Sequence, residues 1–97
     1  MIRSFADQAT EDVFDGSATR RARARLPAEV WPVARRKLTQ INRVGDLREL
    51  AVPPGNRLER LRGDRTGHYS IRINDQYRIC FSWGQGYADN VAIEDYH

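Results

Sequence analysis

The sequence predicts an α+β domain, with an N-terminal strand and two to three helices packed on one face of an antiparallel sheet. Three observations predict it. Ninety-seven residues hold only one modest core, so residues 1–97 form a single domain. Apolar residues between Pro27 and Asn42 recur at helical spacing. From Tyr69 to Ile93 they alternate, with turn residues between the runs, as in a meander of strands. Helix signals before strand signals place the helices together on one sheet face.

Each element has its own signal. Ile2 to Ala6 alternates weakly and reads as the first strand. Asp7 is a plausible N-cap, Ala9, Val13 and Phe14 follow at helical spacing, and Gly16 ends that helix. Ser17 to Arg25 is a short basic helical piece, broken by Leu26-Pro27. The clearest helix then carries Val30, Trp31, Ala34, Leu38 and Ile41 on one stripe. Pro32 is harmless only in a first turn, where amides have no intrahelical partner, so the regular helix begins near Ala28 or later. Lys37 sits at the stripe's edge, where its stem packs and its ammonium reaches water. One helical turn is expected at Asp46 to Leu50, and Pro53-Pro54-Gly55-Asn56 stops any regular element. Strands follow around Leu58–Leu61, Tyr69–Ile73, Tyr77–Trp83 and Ala88–Asp95. Their turns are Gly63–Gly67, Asn74-Asp75-Gln76 and Gly84-Gln85-Gly86.

Charge is distributed unevenly. Residues 20–62 carry twelve Lys/Arg against four Asp/Glu, whereas the segments on either side are net acidic. Fifteen of the sixteen cations are Arg, whose fork suits phosphate better than an ammonium does. The basic middle reads as an anion-binding surface, with Arg20, Arg21, Arg23, Arg35, Arg36 and Lys37 as contacts to an RNA backbone, joined by Arg72 from the strands beyond it. A solvated helix face, or a surface for an acidic protein, gives the same run. Cys80 is the lone cysteine and lies in an apolar run, so it reads as a small buried residue, not a nucleophile. No Cys/His cluster has metal spacing, and no cofactor motif is present; none is expected. Nothing approaches membrane-span or signal-peptide length, which fits a soluble protein of a reducing cytoplasm.

Alternation turns Tyr69, Ile71, Ile73, Tyr77, Ile79, Phe81 and Trp83 toward the helices. Ser70, Arg72 and Arg78 then face the other way, onto a sheet surface with no second layer to cover it. Arg62 can join them. The chain ends on Asp95-Tyr96-His97, after the apolar pair Val91 and Ile93. A carboxylate, a phenol and an imidazole held there can move protons or meet phosphate. RNA cleavage needs little else, since the ribose 2′-hydroxyl is the nucleophile.

The runs Pro53-Pro54-Gly55-Asn56-Arg57-Leu58-Glu59, Leu61-Arg62-Gly63-Asp64-Arg65, Tyr69-Ser70-Ile71, Tyr77-Arg78-Ile79 and Glu94-Asp95-Tyr96-His97 resemble the HigB branch of the RelE-like toxins. Met1-Ile2-Arg3-Ser4-Phe5 agrees with it. The resemblance spans nearly the whole chain and implies a RelE-like fold. It also implies a ribosome-dependent endoribonuclease toxin that cuts mRNA, paired with a helix-turn-helix, HigA-like antitoxin. Operator DNA would be met only through that antitoxin.

The resemblance also assigns residues. Arg62 matches a functional Lys or Arg, Arg78 the functional arginine of its strand, and Asp95, Tyr96 and His97 the terminal active-site group. Glu59 stands where some relatives have a catalytic histidine. An imidazole exchanges protons near neutral pH, whereas a carboxylic acid is a poor proton donor there. Glu59 therefore acts as a base or orients Arg60 or Arg62, and His97 is the better proton carrier. A catalytically inactive module that regulates its operon with the antitoxin is the competing reading.

Overall fold

The computed structural model describes residues 1–95. Helix α1 (Gln8–Asp15) starts where the Asp7 carboxylate accepts the Thr10 amide, 2.8 Å away, and stops at Gly16, whose φ of 77° is left-handed. A side chain at Gly16 would press on the Arg35 guanidinium, 3.1 Å from where its Cβ would lie. Thr19 caps α2 (Arg20–Arg25) in the same way, through Ala22 N at 3.2 Å. A 3-10 turn at Ala28–Val30 leads into α3 (Trp31–Arg43), so Pro32 does fall in the first turn of the α-helix. The turn expected after Asp46 forms as a 3-10 segment, Leu47–Ala51, closed by a capping box between Asp46 and Glu49.

Four strands make one antiparallel sheet in the order β1 (Glu59–Arg60), β2 (His68–Arg72), β3 (Tyr77–Gly84), β4 (Tyr87–Asp95). Register sets Ile71 opposite Ile79 and Ile79 opposite Ile93. These three join Phe81, Val13, Leu38, Ile41 and Leu50 in a core between the sheet and the helices. Phe81 is wholly buried, and burying such a side chain contributes about 1.5–3 kcal/mol.

One expected element is absent: residues 2–6 do not form an N-terminal strand. Only isolated parallel bridges form, Ile2 to Ala88 and Phe5 to Val91. The reason lies in β4, which shifts register opposite Cys80–Ser82 and takes a left-handed residue at Asn90, φ 54°. Between the bridges, the Asn90 amide turns to Ser4 Oγ at 2.9 Å, and Asp89 holds Arg3 and Ser4 through their side chains. A continuous ladder cannot run past that bulge. The segment still lines β4, exchanging main-chain bonds at Ala88 and Val91. Further along, Thr10 Oγ1 accepts the Ile93 amide at 3.0 Å and Arg25 donates to the Ile93 carbonyl at 3.2 Å.

The outer sheet face is also not bare. Ser70, Cys80, Arg78 and Ala92 there are all buried. Arg65 reaches from the 63–65 turn to Glu94 on β4 with two bonds, 2.7 and 3.0 Å, and so covers Cys80. Two long side chains thus do the work of a second layer.

Between α1 and α2, the buried Asp12 carboxylate accepts from Thr19 Oγ1 at 2.6 Å, Arg21 Nε at 2.7 Å and Gln8 Nε2 at 3.1 Å. The Arg21 bond first, then those from Thr19 and Gln8, hold its pKa down at about 2. The stabilisation is therefore full above the ordinary value of 3.8 and lost as pH falls through about 2. Asp12→Asn should lower the melting temperature at neutral pH by several degrees. The difference from wild type should shrink as both are melted at pH values stepped down toward 2. A constant difference at every pH would refute the linkage.

Candidate functional site

Arg78 on β3 anchors the site. It is 6% exposed, low for a cation. Its Nε donates to Ser70 Oγ at 2.8 Å, and its Nη2 donates to the Arg57 carbonyl at 2.7 Å and the Ser70 carbonyl at 3.4 Å. Arg57 offers that carbonyl from a left-handed backbone, φ 47° and ψ 57°, at the end of the Pro54–Asn56 turn. Glu59 Oε1 lies 3.8 Å from Arg78 Nη1 and is half exposed. Glu59 is thus aimed at Arg78, a partner that the sequence, which offers Glu59 as a base or as an orienter of Arg60 or Arg62, does not name.

Glu59 borders two hollows. One, of about 210 Å³, is lined by Arg57, Arg72, Asn74, Asp75 and Arg78 as well. The other, of about 780 Å³, also takes in Arg62 and the start of the 63–65 turn. Arg72 reaches the first hollow and is paired with Asp75. The two hollows together place Glu59, Arg62, Arg72 and Arg78 along one open tract of surface.

Asp95 stands apart. It pairs across from Tyr77, while Arg78 pairs across from Glu94. Tyr77 packs against the core, so Asp95 shares the helix-side face and Arg78 the outer one. The Asp95 carboxylate accepts from Gln76 Nε2 at 3.0 Å and borders a separate hollow with Ala24, Arg25 and Tyr77. Tyr96 and His97, the other two terminal candidates, lie outside the described residues.

The basic helices form a second region. Arg20 is exposed on α2, Arg21 is held by Asp12, and Arg23 donates to the Ala18 carbonyl at 2.8 Å. Arg35, Arg36, Lys37 and Arg43 line a hollow of about 580 Å³ against Pro53 and Asn56. Lys37 is half-buried. Its ammonium donates to the Arg72 carbonyl at 2.5 Å. Burial, and then Arg36, Arg72 and Arg78, push its pKa down. Lys37 thus ties α3 to the end of β2 beside the Arg78 hollow.

Glu94 is held below the usual carboxylate range by Arg65, against the cost of its burial. Burial, with Glu94 beside it, pushes the Cys80 thiol up to about 11, so this cysteine is no thiolate nucleophile near neutral pH. Among the described residues, no cluster of His, Cys, Asp and Glu could hold a metal ion, and no helix is long and apolar enough to cross a membrane. Ser70, Arg57 and the Arg65–Glu94 pair were not among the sequence candidates. The parity of Ser70 and Arg78 in a hairpin was the available signal for the first.

A planar cation fixed at the floor of a hollow can bind a phosphate through its fork. A carboxylate within 4 Å of it can accept a proton while that charge builds.

Residues 3–97 match the family described as RelE-like toxin of type II toxin-antitoxin system HigB. The chain is 33% identical over 94 residues to Toxin HigB-1 of Vibrio cholerae, covering 97% of this chain and 96% of that one. It is 31% identical over 101 residues, across the full length of both, to Endoribonuclease HigB of Proteus vulgaris. Among solved structures, the YoeB-YefM complex from Staphylococcus aureus aligns with a TM-score of 0.61 at 23% identity, covering 100% of this chain and 98% of that one. The YoeB/ParE toxin from Agrobacterium tumefaciens aligns at 0.53 and 16%, covering 99% and 100%. The two structural matches show a shared fold.

Proposed function

The chain belongs to the HigB-like family of RelE-like toxins of type II toxin–antitoxin systems, and from that premise we propose that it is a ribosome-dependent endoribonuclease that cuts mRNA and stops growth. The ribose 2′-hydroxyl attacks the adjacent phosphate and the bond to the 5′-oxygen breaks, leaving a 2′,3′-cyclic phosphate. Arg78 stabilises the charge that builds there, Glu59 or a group of the chain end takes the 2′-proton, and another group of the chain end gives a proton to the leaving 5′-oxygen. The observation that carries this reading is the buried Arg78 guanidinium, held by Ser70 and Arg57 with Glu59 3.8 Å away, at the floor of an open hollow. A relative carrying the name endoribonuclease, aligned over its full length, supports it. The exposed arginines of α2 and α3 bind ribosomal RNA in this reading, which places the activity in the cytoplasm. A helix-turn-helix antitoxin silences the chain and carries it to operator DNA. The placing of Asp95 on the opposite face from Arg78 favours a second reading, in which the chain no longer cuts and serves as a binding module with that antitoxin.

Inducing this chain alone in bacteria separates the two. Viable counts should fall, and message purified from those cells should show new ends inside reading frames. Unchanged growth with folded protein present would leave the binding module standing.

A further inference from the structure

Ser70 has no chemistry to perform in the cleavage just described, yet it lies at the centre of the site. It is wholly buried on β2, between β1 and β3. Its Cα pairs with Glu59 on one side and Cys80 on the other. Its hydroxyl accepts a hydrogen bond from Arg78 Nε at 2.8 Å, and its carbonyl accepts from Nη2 at 3.4 Å. One residue thus sets the strand position of Glu59 and grips the guanidinium beside it.

We propose that Ser70 is a positioning residue for Arg78, a role that rests on the reading of the chain as an RNA-cleaving enzyme. A guanidinium is a flat fork, and its value to a phosphate depends on where the plane points. Bonds from Nε to Ser70 and from Nη2 to the Arg57 carbonyl grip two different nitrogens. Together they fix the rotation of the plane as well as its reach. The Arg57 carbonyl belongs to the main chain and survives any side-chain change. The Ser70 hydroxyl is the half of the clamp that a substitution removes. Without it, Nε–H loses the acceptor that Ser70 Oγ supplies, and the grip on the plane weakens.

The experiment compares wild type, Ser70→Ala and Ser70→Thr, each also with Arg78→Lys. It reads cleavage of ribosome-bound message, thermal melting and the NMR signal of the Arg78 Nε–H. Ser70→Ala should lower kcat about ten- to a hundred-fold, the worth of one hydrogen bond to a charged group, with KM nearly unchanged. Ser70→Thr keeps the hydroxyl and should keep most of the rate. In the Arg78→Lys background, where no Nε–H exists, Ser70→Ala should cost nothing further. The Nε–H signal should be protected from exchange in wild type and lose that protection in Ser70→Ala. An equal loss in both backgrounds, or an Nε–H unprotected in wild type, would overturn the proposal. The NMR signal does not depend on activity. If it behaves as expected while wild type cuts no RNA, the error lies in the cleavage reading and not in the clamp.

Discussion

Arg78→Ala should slow cleavage of ribosome-bound mRNA by about 10²- to 10³-fold, the usual cost of removing a preorganised group that stabilises transition-state charge. The group is already desolvated and held, so no reorganisation is needed when charge builds on the phosphate. Arg78→Lys should recover little of the loss. A lysine keeps the charge but has no fork, and it cannot satisfy Ser70 and the Arg57 carbonyl together. Primer extension on a defined message would map and count the cuts, with melts alongside, since the alanine variant also strips Ser70 and Glu59 of a partner. Wild-type rates from a folded Arg78→Ala protein would remove this residue from the chemistry.

Deleting residues 95–97 should abolish cleavage and leave the fold nearly as stable. The last apolar residue of β4, Ile93, is 1% exposed and keeps its ties to Thr10 and Arg25 after the deletion. Asp95 is exposed, and its hydrogen bond to Gln76 lies in solvent. Asp95 therefore adds little to the core. The chemistry should suffer far more, because a positioned acid or base typically contributes about 10²- to 10⁴-fold. His97→Ala alone should cost part of that factor. The wild-type product should end in a 2′,3′-cyclic phosphate, the outcome when the ribose hydroxyl attacks. Full cleavage by the truncated protein would falsify the assignment of the chain end. Loss of cleavage only in step with loss of melting temperature would make residues 95–97 a structural tail.

The helices and most strands were legible because their signals are local. Asp7, Gly16 and Pro32 each state a helix boundary in their own chemistry. Alternation from Tyr69 to Trp83 states which side chains meet the helices. What the sequence hid depends on distant partners. Residues 2–6 look like a strand, but a bulge more than eighty residues on decides that they do not pair as one. The outer face looks bare until Arg65 is seen to reach Glu94. Glu59 meets Arg78 only through the registers of β1 with β2 and β2 with β3, which alternation leaves open. The separation of Asp95 from Arg78 is different. Asp95 has the parity of Ile93 and Arg78 the opposite parity to Ile79, so the pattern contained that answer.

The hydrogen bonds spent along the outer edge of β4 bear on what the molecule is like when it is alone. An unpaired strand edge is a template for coupling to another chain. Here Met1, Arg3, Ser4, Ala6, Thr10 and Arg25 occupy the main-chain groups at Ala88, Asn90, Val91 and Ile93 that a second strand would use. The opposite border of the sheet is β1, two residues long. The sheet thus comes with its longest border already closed. A partner is left with faces, hollows and helices to hold, and a lone chain has little edge by which to stick to its own copies.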